Sequence, residues 1–203
     1  MPTTDDYGQG VSIAALTDAP NATTLAQDIA NAIVQRGVMR FATAAERNAT
    51  ITSPVDGMVA YLAAEELITA RVGGVWVTIG SSVSTWTNIT LTSGFAHNGN
   101  SNGNVQYRRI NLFGEPSVQL QGALSVTYGP AIPNSGIFTA SALPTAARPA
   151  SLRTVVIPCS DVSSDRITLK LDAKTNGHLE IYGTNSSSNR PPWIGFNGVF
   201  YSL

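Results

Sequence analysis

The stretch FATAAERNATITSPVDGMVAYL, residues 41–62, determines how the rest of the chain is arranged. Thr43 and Glu46 have the T-x-x-E spacing of a capping box, in which a hydroxyl and a carboxylate satisfy free backbone donors at the start of a helix. A helix is therefore expected to begin at Ala44. It must be short, because three β-branched residues follow it and Pro54 favours an extended conformation at the preceding residue.

A tight turn and three short strands are predicted after this helix. The sequence Pro-Val-Asp-Gly at 54–57 combines a proline that fixes φ with a glycine that is free to take a positive φ. Strands are predicted over 58–62, 66–72 and 75–79, and Gly73-Gly74 supplies the two-residue hairpin turn between the last two. A meander this small lacks a core, so it must pack on the helix or on neighbouring copies of the chain.

The residues before this stretch form a predicted arm and a helical region. Residues 1–20 show no long hydrophobic period, so an extended arm is expected, which is either a frayed terminus or a tether to a larger assembly. From residue 21 to about residue 36, apolar side chains recur at helical spacing, as at Leu25, Ile29 and Ile33. This narrow stripe suits a seam between parallel helices, and packing on the chain's own sheet is the alternative.

The composition changes at the Gly/Ser-rich segment GSSVS, residues 80–84, which we interpret as a domain boundary. Beyond it, about eight short strands separated by turn residues favour an antiparallel sandwich or barrel. The predicted fold class is mainly β with a short N-terminal helical segment, in which a small β-meander collar precedes a jelly-roll-like antiparallel β-sandwich. The predicted organisation is an extended N-terminal arm (1–20), a short helical region (21–53), the collar (54–80), a linker (81–84) and a C-terminal β-sandwich head (85–203).

The composition argues against several classes of partner. Charged residues make up only 12% of the chain, which indicates outer faces that carry neutral polar groups or are buried against copies of the chain. The net charge of −1, without long runs of either sign, gives no electrostatic signal for nucleic acid or an anionic membrane. The sequence shows no signal peptide and no run of about 18 apolar residues, so we expect synthesis in the cytoplasm without membrane insertion.

No constellation of residues indicates catalysis, a metal or a cofactor. Cys159 is the only cysteine, which excludes an intrachain disulfide, and a small buried residue is expected there. His97 and His178 lie in predicted turns without a second His or Cys at metal-ligand spacing. Solvated surface positions are expected for the carboxylates of the second half, which are Glu115, Asp161, Asp165, Asp172 and Glu180. We therefore expect no enzyme activity.

Large aromatic residues near loop-rich segments indicate carbohydrate recognition instead. An aromatic face can pack on a sugar ring while neighbouring amides bond its hydroxyl groups. The alternative for each aromatic residue is a place in the core or between subunits. The candidate receptor-binding residues are Trp86, His97, Asn98, Tyr107, Tyr182 and Trp193.

Three passages together resemble minor tail proteins and tail fibres of tailed bacteriophages. The first passage covers residues 7–41, and the second is AERNATITSPVDGMVAYL (45–62) with the following hairpin that ends in VWVTI. The third is LPTAARPASLRTVVIP (143–158), followed by TLKLDAKTNGHLEIYG (168–183) and WIGFNGVFYSL (193–203). It resembles the receptor-binding head of fibres, where an L-P-x-x-x-R-P segment leads into a strand, an Asn-Gly or Asp-Gly hairpin and a closing aromatic strand.

The resemblance implies a homotrimeric virion protein of a tail fibre or tail tip. In this arrangement the N-terminal arm binds other tail or baseplate proteins, and the C-terminal head binds a host-surface glycan. Met58, Val59 and Tyr61 would then be divided between packing within the chain and contacts with neighbouring copies. Two alternatives remain. The first is a structural baseplate, collar or capsid-fibre component that binds only virion proteins. The second is a polysaccharide depolymerase, although the sequence shows no paired carboxylates for this reaction.

Overall fold

The computed structural model describes residues 3–4, 12–13 and 21–203, and the chain divides into two units, Met1–Ser81 and Ser82–Leu203. The elements of the N-terminal unit are β1 (Thr3–Thr4), β2 (Ser12–Ile13), α1 (Ala22–Val34), β3 (Val38–Phe41), α2 (Ala44–Thr50), β4 (Val59–Leu62), β5 (Leu67–Val72) and β6 (Val75–Ser81). The elements of the C-terminal unit are β7 (Thr87–Asn88), β8 (Phe95–Ala96), β9 (Gln106–Leu112), β10 (Glu115–Gln121), β11 (Ala123–Val126), β12 (Arg153–Pro158), β13 (Thr168–Ala173), β14 (Leu179–Tyr182), β15 (Trp193–Gly195) and β16 (Val199–Ser202).

The prediction of a mainly β chain with a short N-terminal helical segment is confirmed. The predicted arm over 1–20 lies outside the described residues, except for β1 and β2, which pair antiparallel.

Helix α2 begins with the predicted cap. Thr43 Oγ1 accepts a hydrogen bond from the backbone N–H of Glu46 at 3.1 Å. The Glu46 carboxylate accepts one from the N–H of Ala42 at 2.6 Å, one residue before the helix cap. The two side chains thus satisfy backbone donors on both sides of the cap, and the helix ends at Thr50, before the β-branched Ile51.

The sheet of the N-terminal unit has one strand more than the predicted meander. Its order is β3-β4-β5-β6, and β3 pairs with β4 in parallel, with α2 as the connection between them. The sequence placed Val38–Phe41 in a helical region, because four residues are too few to show a strand period. Asp56, in the predicted turn, accepts hydrogen bonds from the N–H groups of Gly73 and Gly74 at 2.9 and 3.1 Å. The turn before β4 therefore also fixes the β5–β6 hairpin.

The core of the N-terminal unit is small. Met58 is buried with Met39 and Ala60, whereas Val59 and Tyr61 are half-buried. The apolar side chains of α1 remain exposed: Leu25 at 43%, Ile29 at 46% and Ile33 at 65%. A helix with an exposed apolar stripe is unusual for a free chain, since solvated apolar surface is unfavourable. The predicted homotrimer would cover this stripe and stays a prediction.

The C-terminal unit consists of three antiparallel sheets around one hydrophobic core. The strand orders are β16-β10-β9-β7, β15-β11-β8 and β12-β13-β14. All three sheets contribute buried side chains to the same cluster. Phe138 lies within this core, with its ring 6.3 Å from Phe95 and 5.2 Å from Phe196 between centroids. The shared core holds the outer faces of the sheets in fixed positions.

Gly122 separates two strands that belong to different sheets. The sequence shows a long strand-like run over 117–128 that is interrupted at Gly122, and in the structure β10 ends at Gln121 and β11 begins at Ala123 in a different sheet. Gly122 has a φ of +85°, and a Cβ there would lie 1.9 Å from the carbonyl oxygen of Asn104. Only glycine permits both this conformation and this close approach. Residues 136–140, one of the eight short strands expected from the sequence, form only isolated bridges, one of which joins Ile137 to Glu180.

Candidate functional site

One face of the four-stranded sheet in the C-terminal unit is polar and directed away from the core. Val118 and Leu120 of β10 are fully buried, so the alternate residues Gln119 and Gln121 lie on the opposite face. Residues directly opposite in the register share a face. We call the polar part of this surface, on β7, β9 and β10, the amide face, and its members are Trp86, Asn88, Gln106, Arg108, Gln119 and Gln121. Phe200 of β16 lies opposite Gln119 and borders the amide face.

Two rows of contacts fix the side chains of the amide face. In one row, Gln106 donates to Asn88 Oδ1 at 2.9 Å and accepts from the Gln121 amide at 2.6 Å. In the other row, Arg108 Nε donates to Gln119 Oε1 at 2.8 Å. The Arg108 guanidinium carbon also lies 4.5 Å from the ring centroid of Trp86, a cation–π contact. Three strands therefore present a preorganised polar surface.

The amide face offers donors and acceptors but no acid–base pair. The Asn88 amide nitrogen and Gln121 Oε1 have no partner among the described residues, so both are available to hydroxyl groups. Among the described residues of β7, β9 and β10, the carboxylate on the same side of the sheet is Glu115, which is exposed at the far end of β10. Because neighbouring contacts already order the side chains, binding loses little conformational entropy. This chemistry suits recognition of a polar ligand such as a saccharide.

A second polar surface covers the outer side of the β12-β13-β14 sheet. Asp172 accepts from Thr154 Oγ1 at 2.6 Å and forms an ion pair with Lys170 at 3.0 Å. The Lys170 ammonium also lies 4.1 Å from the ring centroid of Tyr182, its direct partner in the register. Asp172 is only 4% exposed, so the prediction of a solvated surface carboxylate is wrong for this residue. We call this surface the network face.

The remaining charges of the network face are also paired with each other. Glu180 is 7% exposed, again contrary to the expected solvated position, and forms an ion pair with Lys174. The hydrogen bond to Glu180 raises the pKa of Lys174. The pKa of Tyr182 is likewise raised, chiefly through a hydrogen bond with Glu180. Because two lysines neutralise the two buried carboxylates, this network stabilises the sheet and leaves little unpaired charge for a ligand.

The structure does not gather the six predicted receptor-binding residues into one site. Trp86 belongs to the amide face and Tyr182 to the network face. Tyr107 packs against the hydrophobic core from β9. Trp193 begins β15, where it is half-buried and pairs with Ser125.

The two loop candidates hold their own loop. His97 Nδ1 accepts a hydrogen bond from the N–H of Val105 at 3.1 Å. Asn98 has a φ of +65°, and its Oδ1 accepts from the N–H of Gly103 at 2.9 Å. Both side chains therefore stabilise the conformation of their own loop. The receptor-binding role of all six residues stays a prediction.

Sequence reasoning missed most of the amide face. Gln106 and Arg108 alternate along β9, and Gln119 and Gln121 alternate along β10. This two-residue spacing of polar side chains was a usable signal for one face of an antiparallel sheet. The signal does not reveal which strands are neighbours, because the register depends on the whole fold.

In the described part of the chain, no three His, Cys, Asp or Glu side chains are grouped in a way that could hold a metal ion. Within the same residues, no helix is both long and apolar enough to cross a membrane. Cys159 is buried as expected, and burial raises the pKa of its thiol.

Comparisons with known proteins give one structural likeness. No family model and no curated protein matches the chain. Among solved structures, the chain is similar to the receptor binding protein (gp15) of Listeria phage PSA, with 18% sequence identity and a TM-score of 0.44. The match covers 60% of this chain and 66% of that chain, slightly less than two thirds of its length.

Proposed function

We propose that the chain is a virion protein of a bacteriophage tail fibre or tail tip, and that its C-terminal unit attaches the particle to a glycan on the host surface. The assignment to a phage tail rests on the sequence passages that resemble tail fibres. The glycan-binding role rests on the amide face, where Asn88, Gln106 and Gln121 form an ordered row of amides across three strands. The proposal includes no catalytic step.

The N-terminal unit supports assembly into a homotrimer in this proposal. Helix α1 exposes Leu25, Ile29 and Ile33 along one stripe, and identical helices would bury these side chains against each other. The N-terminal arm would then bind other tail or baseplate proteins. Native mass spectrometry tests the assembly: the wild-type chain is expected as a trimer, and Ile29→Glu as a monomer.

Asn31→Glu is the matched control for this assembly test. Asn31 lies on the same helix but two residues from Ile29, and therefore about 200° away around the helix axis. Its side chain accepts a hydrogen bond from Gln27 at 3.2 Å, which a glutamate can also accept. A wild-type monomer at micromolar concentration would refute the trimer. Equal dissociation by both variants would show that the stripe is not the seam.

A glycan array tests the main proposal with the full chain. Saturable binding to a subset of bacterial surface glycans is expected, without release of reducing sugar from them. No binding to any glycan, together with no adsorption to bacterial cells, would favour a purely structural baseplate, collar or capsid-fibre component. Release of reducing sugar would instead indicate a depolymerase.

A further inference from the structure

The guanidinium group of Arg108 is held in place but not saturated. Its Nε donates to Gln119 Oε1 at 2.8 Å, and its carbon lies 4.5 Å from the Trp86 ring centroid. The two terminal nitrogens have no partner among the described residues, and the side chain is only half-buried. The paired N–H donors at the end of the side chain are thus oriented before any ligand arrives.

The charges around Arg108 leave its positive charge uncompensated. No ion pair involves Arg108 in the described part of the chain. Glu115, a carboxylate on the same side of β10, is four residues from Gln119 along the strand, a distance of about 13 Å. Arg153, near the other edge of the sheet, is by contrast engaged by Ser202 and Ser151. Arg108 is therefore the cation of this surface that is free to bind a ligand.

A guanidinium edge matches the two oxygens of a carboxylate or phosphate, and such bidentate pairs are stronger and more directional than neutral hydrogen bonds. Amides alone would suit a neutral saccharide, but an oriented and uncompensated arginine among them favours an anionic one. We propose that the amide face takes an acidic saccharide, and that Arg108 binds its carboxylate or phosphodiester group and determines specificity for it.

This inference rests on the proposed function and defines the role of Trp86 more closely. The Arg108 guanidinium lies over the Trp86 ring, so that ring surface is not available to a sugar. Trp86 acts as a positioning residue that, together with Gln119, orients the arginine. The neighbouring Asn88 amide nitrogen and Gln121 Oε1 would bond hydroxyl groups of the same saccharide.

The test compares acidic and neutral versions of the same probes. The full chain is applied to two pairs of immobilised oligosaccharides. The first pair is glucuronate-containing glycans and the same glycans after reduction of the carboxyl group, and the second is glycerol-phosphate-substituted glycans and their unsubstituted forms. The uronate and phosphate sets distinguish the two sources of negative charge. We expect preference for at least one acidic set over its neutral counterpart, and weaker binding as the salt concentration rises.

Arg108→Gln is expected to weaken binding to the acidic probe by about tenfold or more, because a charge-assisted pair is lost. Arg109→Gln is the matched control: the same charge is removed from the next residue of β9, whose side chain lies on the other face. Its affinity should remain within about twofold of wild type, because this exposed charge lies on the opposite side of the strand from the ligand. Arg108→Lys keeps the charge but not the two parallel N–H donors of the guanidinium, so its affinity should lie between those of the two glutamine variants. This variant also tests the inference if Arg108→Gln folds poorly.

Each result decides the inference. Equal binding of acidic and neutral probes, or equal losses in Arg108→Gln and Arg109→Gln, overturns it and leaves the proposed function intact. A change of oligomeric state in Arg108→Gln, measured by native mass spectrometry, also overturns it and makes this face an interface between copies. Binding to no probe and to no bacterial cell overturns the proposed function together with the inference.

Discussion

Gly122→Ala should destabilise the C-terminal unit strongly, because two separate effects act at this position. A φ of +85° is unfavourable for an L-residue by roughly 1–2 kcal/mol. The added Cβ would lie 1.9 Å from the carbonyl oxygen of Asn104, and the backbone shift needed to relieve such an overlap costs about 1–3 kcal/mol. The free energy of unfolding should therefore fall by about 2–5 kcal/mol in total. For a unit of this size that corresponds to a melting temperature lower by about 8–20 °C.

Gly103→Ala separates the two effects. Gly103 has nearly the same φ, +84°, but a Cβ there would meet no atom within 4 Å. This control should lose only the conformational part, about 1–2 kcal/mol, or about 4–8 °C. Differential scanning calorimetry of the two variants and the wild-type chain, at equal concentration, measures the difference. Equal shifts for the two variants would refute the claim that close packing against Asn104 requires glycine at position 122.

Three further predictions concern side chains with well-defined partners. At neutral pH, Tyr201→Phe should reduce the free energy of unfolding by about 1–2 kcal/mol in urea titrations, because the Tyr201 hydroxyl donates to the buried Ala147 carbonyl at 2.9 Å. Tyr128→Phe should change this free energy little, because the buried Tyr128 hydroxyl has no partner among the described residues. Equal losses in the two variants would contradict this assignment. Burial raises the pKa of Tyr128 to about 12, and an unfolded tyrosine ionises near its usual value of about 10. The contribution of this neutral hydroxyl to the free energy of unfolding should therefore be fully present below about pH 10 and decrease towards pH 12, with a smaller decrease in Tyr128→Phe. The same pH profile in Tyr128→Phe and wild type would contradict this prediction. Asp56→Ala should lower the stability of the N-terminal unit by about 1–3 kcal/mol in thermal unfolding, because both N–H groups of the β5–β6 hairpin turn lose a charged acceptor. A wild-type melting temperature in this variant would show that solvent replaces the carboxylate without loss of stability.

The sequence predicted those parts of the fold that depend on local chemistry. The capping box of Thr43 and Glu46 and the Gly73-Gly74 hairpin are set by residues within a few positions of each other, and both are present. Strand β3 was missed because a parallel partner, β4, stabilises it from a distance along the chain. Gly122 was recognised as an interruption, but the close approach of Asn104 that makes it a boundary between sheets is a tertiary contact.

The residues of the candidate site also divide into those that local sequence predicts and those that depend on tertiary contacts. Trp86 was selected from the sequence as an aromatic residue near loops, and it does lie on the amide face. Its partner Arg108 is brought to it by the pairing of β7 with β9, which no local pattern specifies. Burial of Asp172 was equally unpredictable, because it depends on Thr154 and Lys170 as partners across and along the sheet. Pairing in three dimensions converts residues of ordinary type into an ordered surface.

The location of glycan binding is the central claim, and two double variants test it most directly. For the glycan that binds best on the array, isothermal titration calorimetry compares the full wild-type chain with Gln106→Ala/Gln121→Ala on the amide face and with Lys170→Ala/Tyr182→Ala on the network face. Loss of two hydrogen-bonding amides should weaken binding by about tenfold or more, while the network-face variant should bind like wild type. Wild-type affinity in the amide-face variant, with loss of affinity in the network-face variant, would contradict the proposed site.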